Sequence, residues 1–324
     1  MVEEKAELVS KVLVLEDCPD AVTRIKAFCD ANSLVGVKAQ AENVMGVLRS
    51  NVDLGAIFLS EDYGGGTADG GISLAREIHE VRPELPIFLR REVADDLESL
   101  SETDRTLFSQ GYSINNIDRL GPVINETIFS LVYPNALVRG ITEITRAALE
   151  SQFKDVDVGS EAPYIVRDRI IYGELFTLIP LESNWCRGYM MLQTEEQPLV
   201  KFVESEKTHI ATDFVNFRDI NHVLGEVTNL VWGSFKNRFI SYEPLEGRSS
   251  QVPIIVNHLH RYISFGSEDP QLCFKYTLSD KSGNGPNLVL YQRFVFNLSW
   301  SPDKFKENEA LVEDLFDSGE LELF

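Results

Sequence analysis

The chain has 324 residues, and its 51 acidic side chains outnumber its 30 basic ones, which gives a formal net charge of −21. A chain this acidic repels the phosphates of nucleic acids and anionic lipid surfaces, so we expect neither nucleic acid nor a membrane among its partners. The polar first residues predict no signal peptide, and four cysteines without metal-ligand spacing predict free thiols in a cytoplasmic protein.

Short apolar runs alternate with helix-like segments over residues 1–132. The runs show no alternation of polar and apolar residues, which is typical of parallel strands covered on both faces. They are residues 11–16, 55–59, 86–89 and 110–114. Helical spacing marks residues 20–31, 72–81 and part of 120–136. This order predicts an α/β doubly wound parallel sheet as a first domain.

A different pattern covers residues 133–324. Long amphipathic helices are expected at 137–153 and 218–239. Strand-like segments lie near 164–179, 185–193, 252–264, 270–279 and 287–299. We therefore predict a second, α+β domain in which helices cover a largely antiparallel sheet. It ends in an acidic tail after Pro302, either a final helix or a partner-binding segment.

The order and spacing of about residues 11–132 resemble the CheY-like receiver family, which has a flavodoxin-like fold. In that family an acidic pair at the end of the first strand binds Mg²⁺, and Glu16 and Asp17 occupy this position. The family's phosphate-accepting aspartate ends the third strand. Ser60 stands there, with Asp62 two residues later.

Two further receiver positions are also changed. The family's Ser/Thr after the fourth strand aligns with Arg91, or with Arg90 if the register slips, and its lysine after the fifth strand aligns with Asn115. Phosphoryl transfer needs a carboxylate nucleophile, a metal and cations for the developing charge. The resemblance therefore implies a degenerate receiver used for docking or regulation. The alternative is a residual Mg²⁺ site on Glu16 and Asp17 with Asp62 as substitute acceptor.

The sharpest local feature is the segment INHVLGEVTNLVWGSFKNRF, residues 220–239. At helical spacing, one face of this segment is apolar. Its residues are Ile220, Val223, Leu224, Val227, Leu230 and Val231. A second stripe consists of His222, Glu226, Asn229, Gly233 and Asn237. Glu226 and Asn229 are i,i+3 neighbours and project from the same face, and Gly233 leaves room for another backbone.

This ExxN-xxx-G pattern resembles the CheC/CheX/FliY family of chemotaxis phosphatases, and the resemblance covers about residues 137–299. It implies that Glu226 engages the lysine of a phosphorylated receiver and that Asn229 orients the attacking water. The protein would need no cofactor of its own, because Mg²⁺ is expected on the partner receiver. Pro253 stands one residue beyond the position of the family's strand-starting proline, and His222 replaces the family's usual Asp or Ser.

Three functions are therefore open at the level of the sequence. The first is a CheX-like phosphatase that acts on a separate CheY-like receiver in two-component or chemotaxis signalling. The second is a non-enzymatic scaffold of such a pathway, and the third is an output protein that still responds to phosphorylation. A homodimer that pairs exposed sheet edges is also expected.

Overall fold

The computed structural model describes most of the chain, and the description below applies to that part. It covers residues 7–48, 54–64, 70–83, 85–167, 170–210, 215–240, 254–257, 262–264, 270–283 and 285–308. Pro253 and the acidic tail beyond residue 308 lie outside the described residues. Within these ranges, no helix is long and apolar enough to cross a membrane.

The strands of the first half are parallel. They are β1 (Val9–Leu15), β2 (Leu34–Lys38), β3 (Ala56–Ser60), β4 (Ile87–Arg90) and β5 (Gln110–Tyr112). The helices between them are α1 (Pro19–Ala31), α2 (Val44–Leu48), α3 (Gly70–Val81), α4 (Glu102–Arg105) and α5 (Leu120–Thr127). The pairing gives the strand order β2-β1-β3-β4-β5.

Helices cover both faces of this parallel sheet. Val12 and Val14 of β1 belong to the same hydrophobic cluster as α1 and α5. The alternate residues Leu13 and Leu15 belong to a second cluster with α2 and α3. Burial on both faces explains why these strands read as continuous apolar runs in the sequence.

The second half is built from longer, mostly antiparallel strands and three helices within the described residues. The helices are α6 (Asn135–Gln152), α7 (Glu196–Glu204) and α8 (Phe217–Phe239). The strands are β6 (Val156–Ser160), β7 (Tyr164–Val166), β8 (Ile170–Tyr172), β9 (Leu175–Glu182), β10 (Cys186–Thr194), β11 (Ile254–Asn257), β12 (Tyr262–Ser264), β13 (Gln271–Asp280) and β14 (Asn287–Trp300). The region predicted as strand-like near 164–179 therefore contains three strands.

One mixed sheet joins both halves of the chain. Its order is β11-β9-β10-β14-β13-β7-β1-β3-β4-β5, with β2 on β1 and β6 on β13. The link is a short parallel pairing in which Val9 and Ser10 of β1 lie beside Tyr164 and Ile165 of β7. Ser10 Oγ donates a buried hydrogen bond of 2.7 Å to the carbonyl of Ile165.

The hydrophobic core also crosses the boundary predicted at residues 132 and 133. The cluster that contains α1 and α5 continues through α6, α7 and α8. At the junction, the ring of Tyr133 lies 5.2 Å from that of Trp300, and Trp300 Nε1 donates to the carbonyl of Val132 at 3.2 Å. All four cysteines are free, as the sequence predicts.

Candidate functional site

Two candidate sites emerge, one at the carboxyl ends of the parallel strands and one on α8. At the strand ends, Arg90 fills the centre of the first site. Its side chain is 4% exposed and donates through Nε to Glu16, whose side chain is 2% exposed. Arg90 Nη2 donates to Ser60 Oγ at 2.8 Å and to Asp62 Oδ1 at 3.2 Å, and Nη1 donates to Glu92. One guanidinium thus ties together the ends of three strands.

The protonation of this cluster follows from its contacts. Burial would lower the pKa of Arg90, but hydrogen bonds to Glu92 and Glu16 outweigh it and raise the pKa. The hydrogen bond that Ser60 donates, with a smaller contribution from Arg90, lowers the pKa of Asp62. At neutral pH the cluster therefore holds a cation between carboxylates.

The sequence offers Arg91, or Arg90 if the register slips, for this position, and the structure places Arg90 there. In the sheet, Ser60 of β3 lies beside Arg90 of β4, so Arg90 faces the cluster. Neighbouring residues of a strand point to opposite faces, and Arg91 accordingly pairs with Glu61 at 3.0 Å. The alternative register considered from the sequence is the one that the structure adopts.

Asn115 is not drawn into the cluster. It lies in a 3₁₀ helix (Ile114–Arg119) after β5, and its Oδ1 accepts a hydrogen bond of 3.1 Å from Arg24 Nη1 on α1. Asn115 therefore makes an exposed contact between α1 and the segment after β5.

The residues of the predicted Mg²⁺ site do not fit a metal ion as they stand. Glu16 Oε1 accepts from the Cys18 backbone N–H at 2.9 Å, and both Glu16 oxygens face the Arg90 guanidinium. Asp17 Oδ2 accepts from the Gly64 N–H at 2.9 Å. Since the Arg90 guanidinium already pairs with the Glu16 carboxylate, we derive no step through a metal here.

The second site lies on α8, which is fixed at both ends. At its start, Asn216 Oδ1 accepts from the Arg218 N–H at 2.8 Å, and the Asn216 N–H donates to Asp219 Oδ2 at 2.9 Å, which forms a capping box. At its end, Arg238 is 2% exposed and pairs with Glu143 at 2.6 Å and with Glu307. These contacts leave the helix little freedom to rotate.

The middle of α8 is anchored to the sheet below it. Thr228 Oγ1 donates to the Leu224 carbonyl at 2.7 Å, so it accepts the 2.7 Å contact with Thr177 Oγ1 of β9. Gly225 packs against β11, since a Cβ there would lie 3.3 Å from Ile255 Cδ1. The buried face of α8 therefore determines which residues point outward.

Glu226 and Asn229 both reach solvent from α8. The Glu226 side chain is 45% exposed, and Asn229 is exposed. His222, one turn before Glu226, places its Nδ1 4.0 Å from Glu226 Oε1. Gly233, one turn after Asn229, would have no atom within 4 Å of an added Cβ in the described structure. The face thus offers a carboxylate and an amide with open space beside them.

One residue of the predicted apolar face is displaced. Leu230 is 38% exposed, whereas the other five members of that stripe are buried. It stands one turn after Glu226, so it lies at the margin of the solvent-facing side. Sequence reasoning also missed Glu92, whose contact with Arg90 depends on the path of the chain after β4.

Comparison with known proteins gives matches only among solved structures. No protein-family model matches the chain, and no curated protein does. A putative chemotaxis protein from Desulfovibrio vulgaris Hildenborough is 13% identical, with a TM-score of 0.37 over 48% of this chain and 94% of that one. The chemotaxis protein CheX from Desulfovibrio desulfuricans is 14% identical, with a TM-score of 0.36 over 48% of this chain and 97% of that one.

A third similar structure is not described as a chemotaxis protein. NtrX from Brucella abortus, in complex with ADP, is 18% identical, with a TM-score of 0.33 over 45% of this chain and 36% of that one. At these identities and TM-scores, none of the three proteins assigns the chain to a family.

Proposed function

We propose that the chain is a phosphatase that hydrolyses the aspartyl phosphate of a separate CheY-like receiver, as the resemblance of residues 220–239 to the CheC/CheX/FliY family implies. The observation that carries this proposal is the pair Glu226 and Asn229. Both side chains project into solvent from a helix whose opposite face is buried and whose ends are capped.

The first half then acts as a degenerate receiver, and residues 133–324 carry the phosphatase surface. The strand order β2-β1-β3-β4-β5 is that of flavodoxin-like sheets and supports this view. Ser60 is a poor nucleophile for phosphate, and Arg90 occupies the carboxylates around it. The substrate of α8 is therefore expected on another molecule, and the first half serves as a docking or control surface.

The reaction balances with groups that the two proteins supply. Glu226 pairs with the lysine of the partner receiver and fixes the approach of α8. The Asn229 amide donates to one group and accepts from another, so it orients a water molecule toward phosphorus. The water oxygen bonds to phosphorus, and the bond from phosphorus to the aspartyl oxygen breaks, which leaves the aspartate as a carboxylate. Both water protons leave with the released phosphate, and one of them passes to solvent at neutral pH. Mg²⁺, expected on the partner, offsets the charge.

A kinetic separation of the two residues tests this assignment. With a phosphorylated CheY-type receiver and Mg²⁺, Asn229→Ala should lower kcat roughly a hundredfold, because only the water loses its positioning. Glu226→Ala should instead raise KM by about tenfold or more, because docking loses an ion pair. Ser234→Ala, an exposed change on the same helix, should alter neither value.

The scaffold function predicts a different result. A scaffold binds the phosphorylated receiver but leaves its rate of phosphate loss at the spontaneous value. In that case Asn229→Ala changes nothing, and the phosphatase proposal is overturned.

A further inference from the structure

The face of β9 that packs against α8 carries a hydroxyl among apolar side chains. Thr177 is 0% exposed. Its cross-strand neighbours are Leu192 of β10 and Ile255 of β11, and its neighbours along the same face of β9 are Leu175 and Ile179 of the hydrophobic core. A hydroxyl buried in such a layer has lost its hydrogen bonds to water, so it needs a partner within the protein.

That partner is Thr228 of α8, which is also 0% exposed. The two hydroxyl oxygens are 2.7 Å apart, and because Thr228 Oγ1 donates to the Leu224 carbonyl, Thr177 is the donor of the pair. A shift of α8 by one residue moves its side chains by ~1.5 Å along the axis and turns them by ~100°. Either change takes the acceptor away from the buried Thr177 proton, and a buried donor without an acceptor is costly. The pair therefore favours one register of α8 on the sheet.

A second contact, one turn earlier on α8, involves the neighbouring strand. Gly225 comes three residues before Thr228, and a Cβ at Gly225 would lie 3.3 Å from Ile255 Cδ1. Ile255 of β11 is the cross-strand partner of Thr177. Two points on the helix therefore meet two paired residues of the sheet, which restricts rotation of the helix about its axis as well as sliding along it.

Each of these contact residues directly precedes a residue of the candidate site. Gly225 precedes Glu226, and Thr228 precedes Asn229, in the segment GEVTN at residues 225–229. Successive side chains of a helix differ in direction by ~100°, so the contact that fixes one residue also fixes the direction of the next. This matters most for Asn229, because a displacement of about 1 Å in a group that positions a reactant costs about a hundredfold in rate.

We propose that Thr177 is a positioning residue that acts through Thr228 to hold Asn229 in the register in which its amide orients the attacking water. This inference rests on the proposed function and adds a residue of the sheet to it. Thr177 is buried, so its effect on the reaction passes through α8. Its loss should lower kcat and leave KM nearly unchanged, since docking through the longer Glu226 side chain tolerates a small shift of the helix and the positioning of water does not.

The test removes hydroxyls and keeps the shape of the side chains. Thr177→Val leaves Thr228 without its donor, Thr177→Ser keeps the hydroxyl, and the double change Thr177→Val with Thr228→Val removes both partners. Thr145→Val on α6 is the matched control, because Thr145 is also 0% exposed and donates a hydrogen bond of 3.1 Å from its helix to Gln292 Oε1 of β14. For each variant, kcat and KM are measured with a phosphorylated CheY-type receiver and Mg²⁺, together with the midpoint of thermal unfolding.

We expect Thr177→Val to lower kcat about tenfold and the unfolding midpoint by about 2–4 °C. The double variant should regain the midpoint, because no hydroxyl is left unpaired. Its kcat should stay about tenfold low, because an apolar pair no longer specifies one register. Thr145→Val should lower the midpoint without a change in kcat, and Thr177→Ser should keep kcat within about twofold of the wild-type value.

Three results would overturn the inference. A wild-type kcat in Thr177→Val or in the double variant would mean that the hydroxyls only stabilise the fold. A loss of kcat in Thr177→Ser as large as that in Thr177→Val would mean that the hydroxyl is not what matters, and an equal loss in Thr145→Val would mean that kcat merely follows stability. If the double variant does not fold, the comparison of the two single Thr177 variants decides.

Failure of the proposed function has a different signature. The wild type then leaves the decay of the phosphorylated receiver at its spontaneous rate, and the register of α8 is read from the backbone amide signal of Asn229 in protein with isotope-labelled asparagine. Asn229→Ala identifies this signal by its loss. We expect one sharp signal in the wild type and a broadened or split one in Thr177→Val, from exchange between registers. An unchanged signal overturns the positioning role.

Discussion

At the scale of single residues, Arg90 is a buried cation that pairs with three acidic side chains. Its guanidinium lies between the side chains of Glu16, Ser60 and Asp62, which come from the ends of two other strands. A buried carboxylate such as Glu16 needs a partner of opposite charge. Arg90 therefore holds the strand ends together.

Removal of this cation should be costly. Arg90→Ala leaves the buried Glu16 carboxylate without a partner of opposite charge, so we expect the free energy of unfolding to fall by about 3–5 kcal/mol. Arg91→Ala breaks the more exposed pair with Glu61 and should cost about 1 kcal/mol. Urea unfolding measures both values. If the two variants are equally stable, the Glu16–Arg90 pair does not have the structural role assigned to it.

The sequence predicts which residues lie at the strand ends but not which of two neighbouring arginines faces the cluster. Ser60 and the acidic pair were placed correctly at strand ends, because apolar runs mark the strands. The choice between Arg90 and Arg91 depends on register, and a slip of one residue moves a side chain to the other face. Only the pairing of Ser60 with Arg90 decides it.

At the scale of elements, α8 determines the geometry of the candidate site. The sequence predicts it at 218–239, and the structure has it at Phe217–Phe239, because its periodicity extends over many turns. Elements without such a pattern were missed. β2 is mostly exposed, β6 is short, and α7 follows β10 directly and contains Pro198.

Two glycines on facing helices should respond in opposite ways to a methyl group. Gly140 of α6 meets α8 closely, since an added Cβ would lie 2.6 Å from Phe239 Cζ, whereas Gly233 of α8 faces open space. Gly140→Ala should cost about 1–3 kcal/mol by overpacking, and Gly233→Ala should gain roughly 0.5–1 kcal/mol through helix propensity.

The same Gly233 variant also probes the docking surface. If a partner backbone approaches α8 there, Gly233→Ala weakens phosphatase activity while it raises thermal stability. If phosphatase activity and thermal stability both rise, no partner backbone approaches α8 closely at this position. Thermal unfolding and the phosphatase assay on the same sample distinguish the two results.

At the scale of the whole molecule, the two halves share a sheet and a core. The pairing of β1 with β7 brings together Ser10 and Ile165, which are 155 positions apart in the chain. Local sequence patterns do not predict such a long-range pairing. Composition and length predict two domains, but long-range pairing of two residues on each strand decides how they meet. The predicted homodimer stays a prediction.

This connection predicts that both halves unfold together. Ser10→Ala removes the hydrogen bond to Ile165 and should lower the free energy of unfolding by about 1–2 kcal/mol. The shift should appear equally in tryptophan fluorescence, since all three tryptophans lie in the second half, and in amide exchange of β3 and β4. A shift seen by one probe alone would mean that the halves unfold independently. Ser234→Ala is the control.

The central claim is that α8 removes phosphate from a receiver on another molecule. Its most direct test is the decay of a phosphorylated CheY-type receiver with Mg²⁺ at increasing concentrations of this protein. We predict that the decay rate rises in proportion to the wild-type concentration and that Asn229→Ala reduces this slope roughly a hundredfold. Decay at the spontaneous rate at every wild-type concentration would contradict the account.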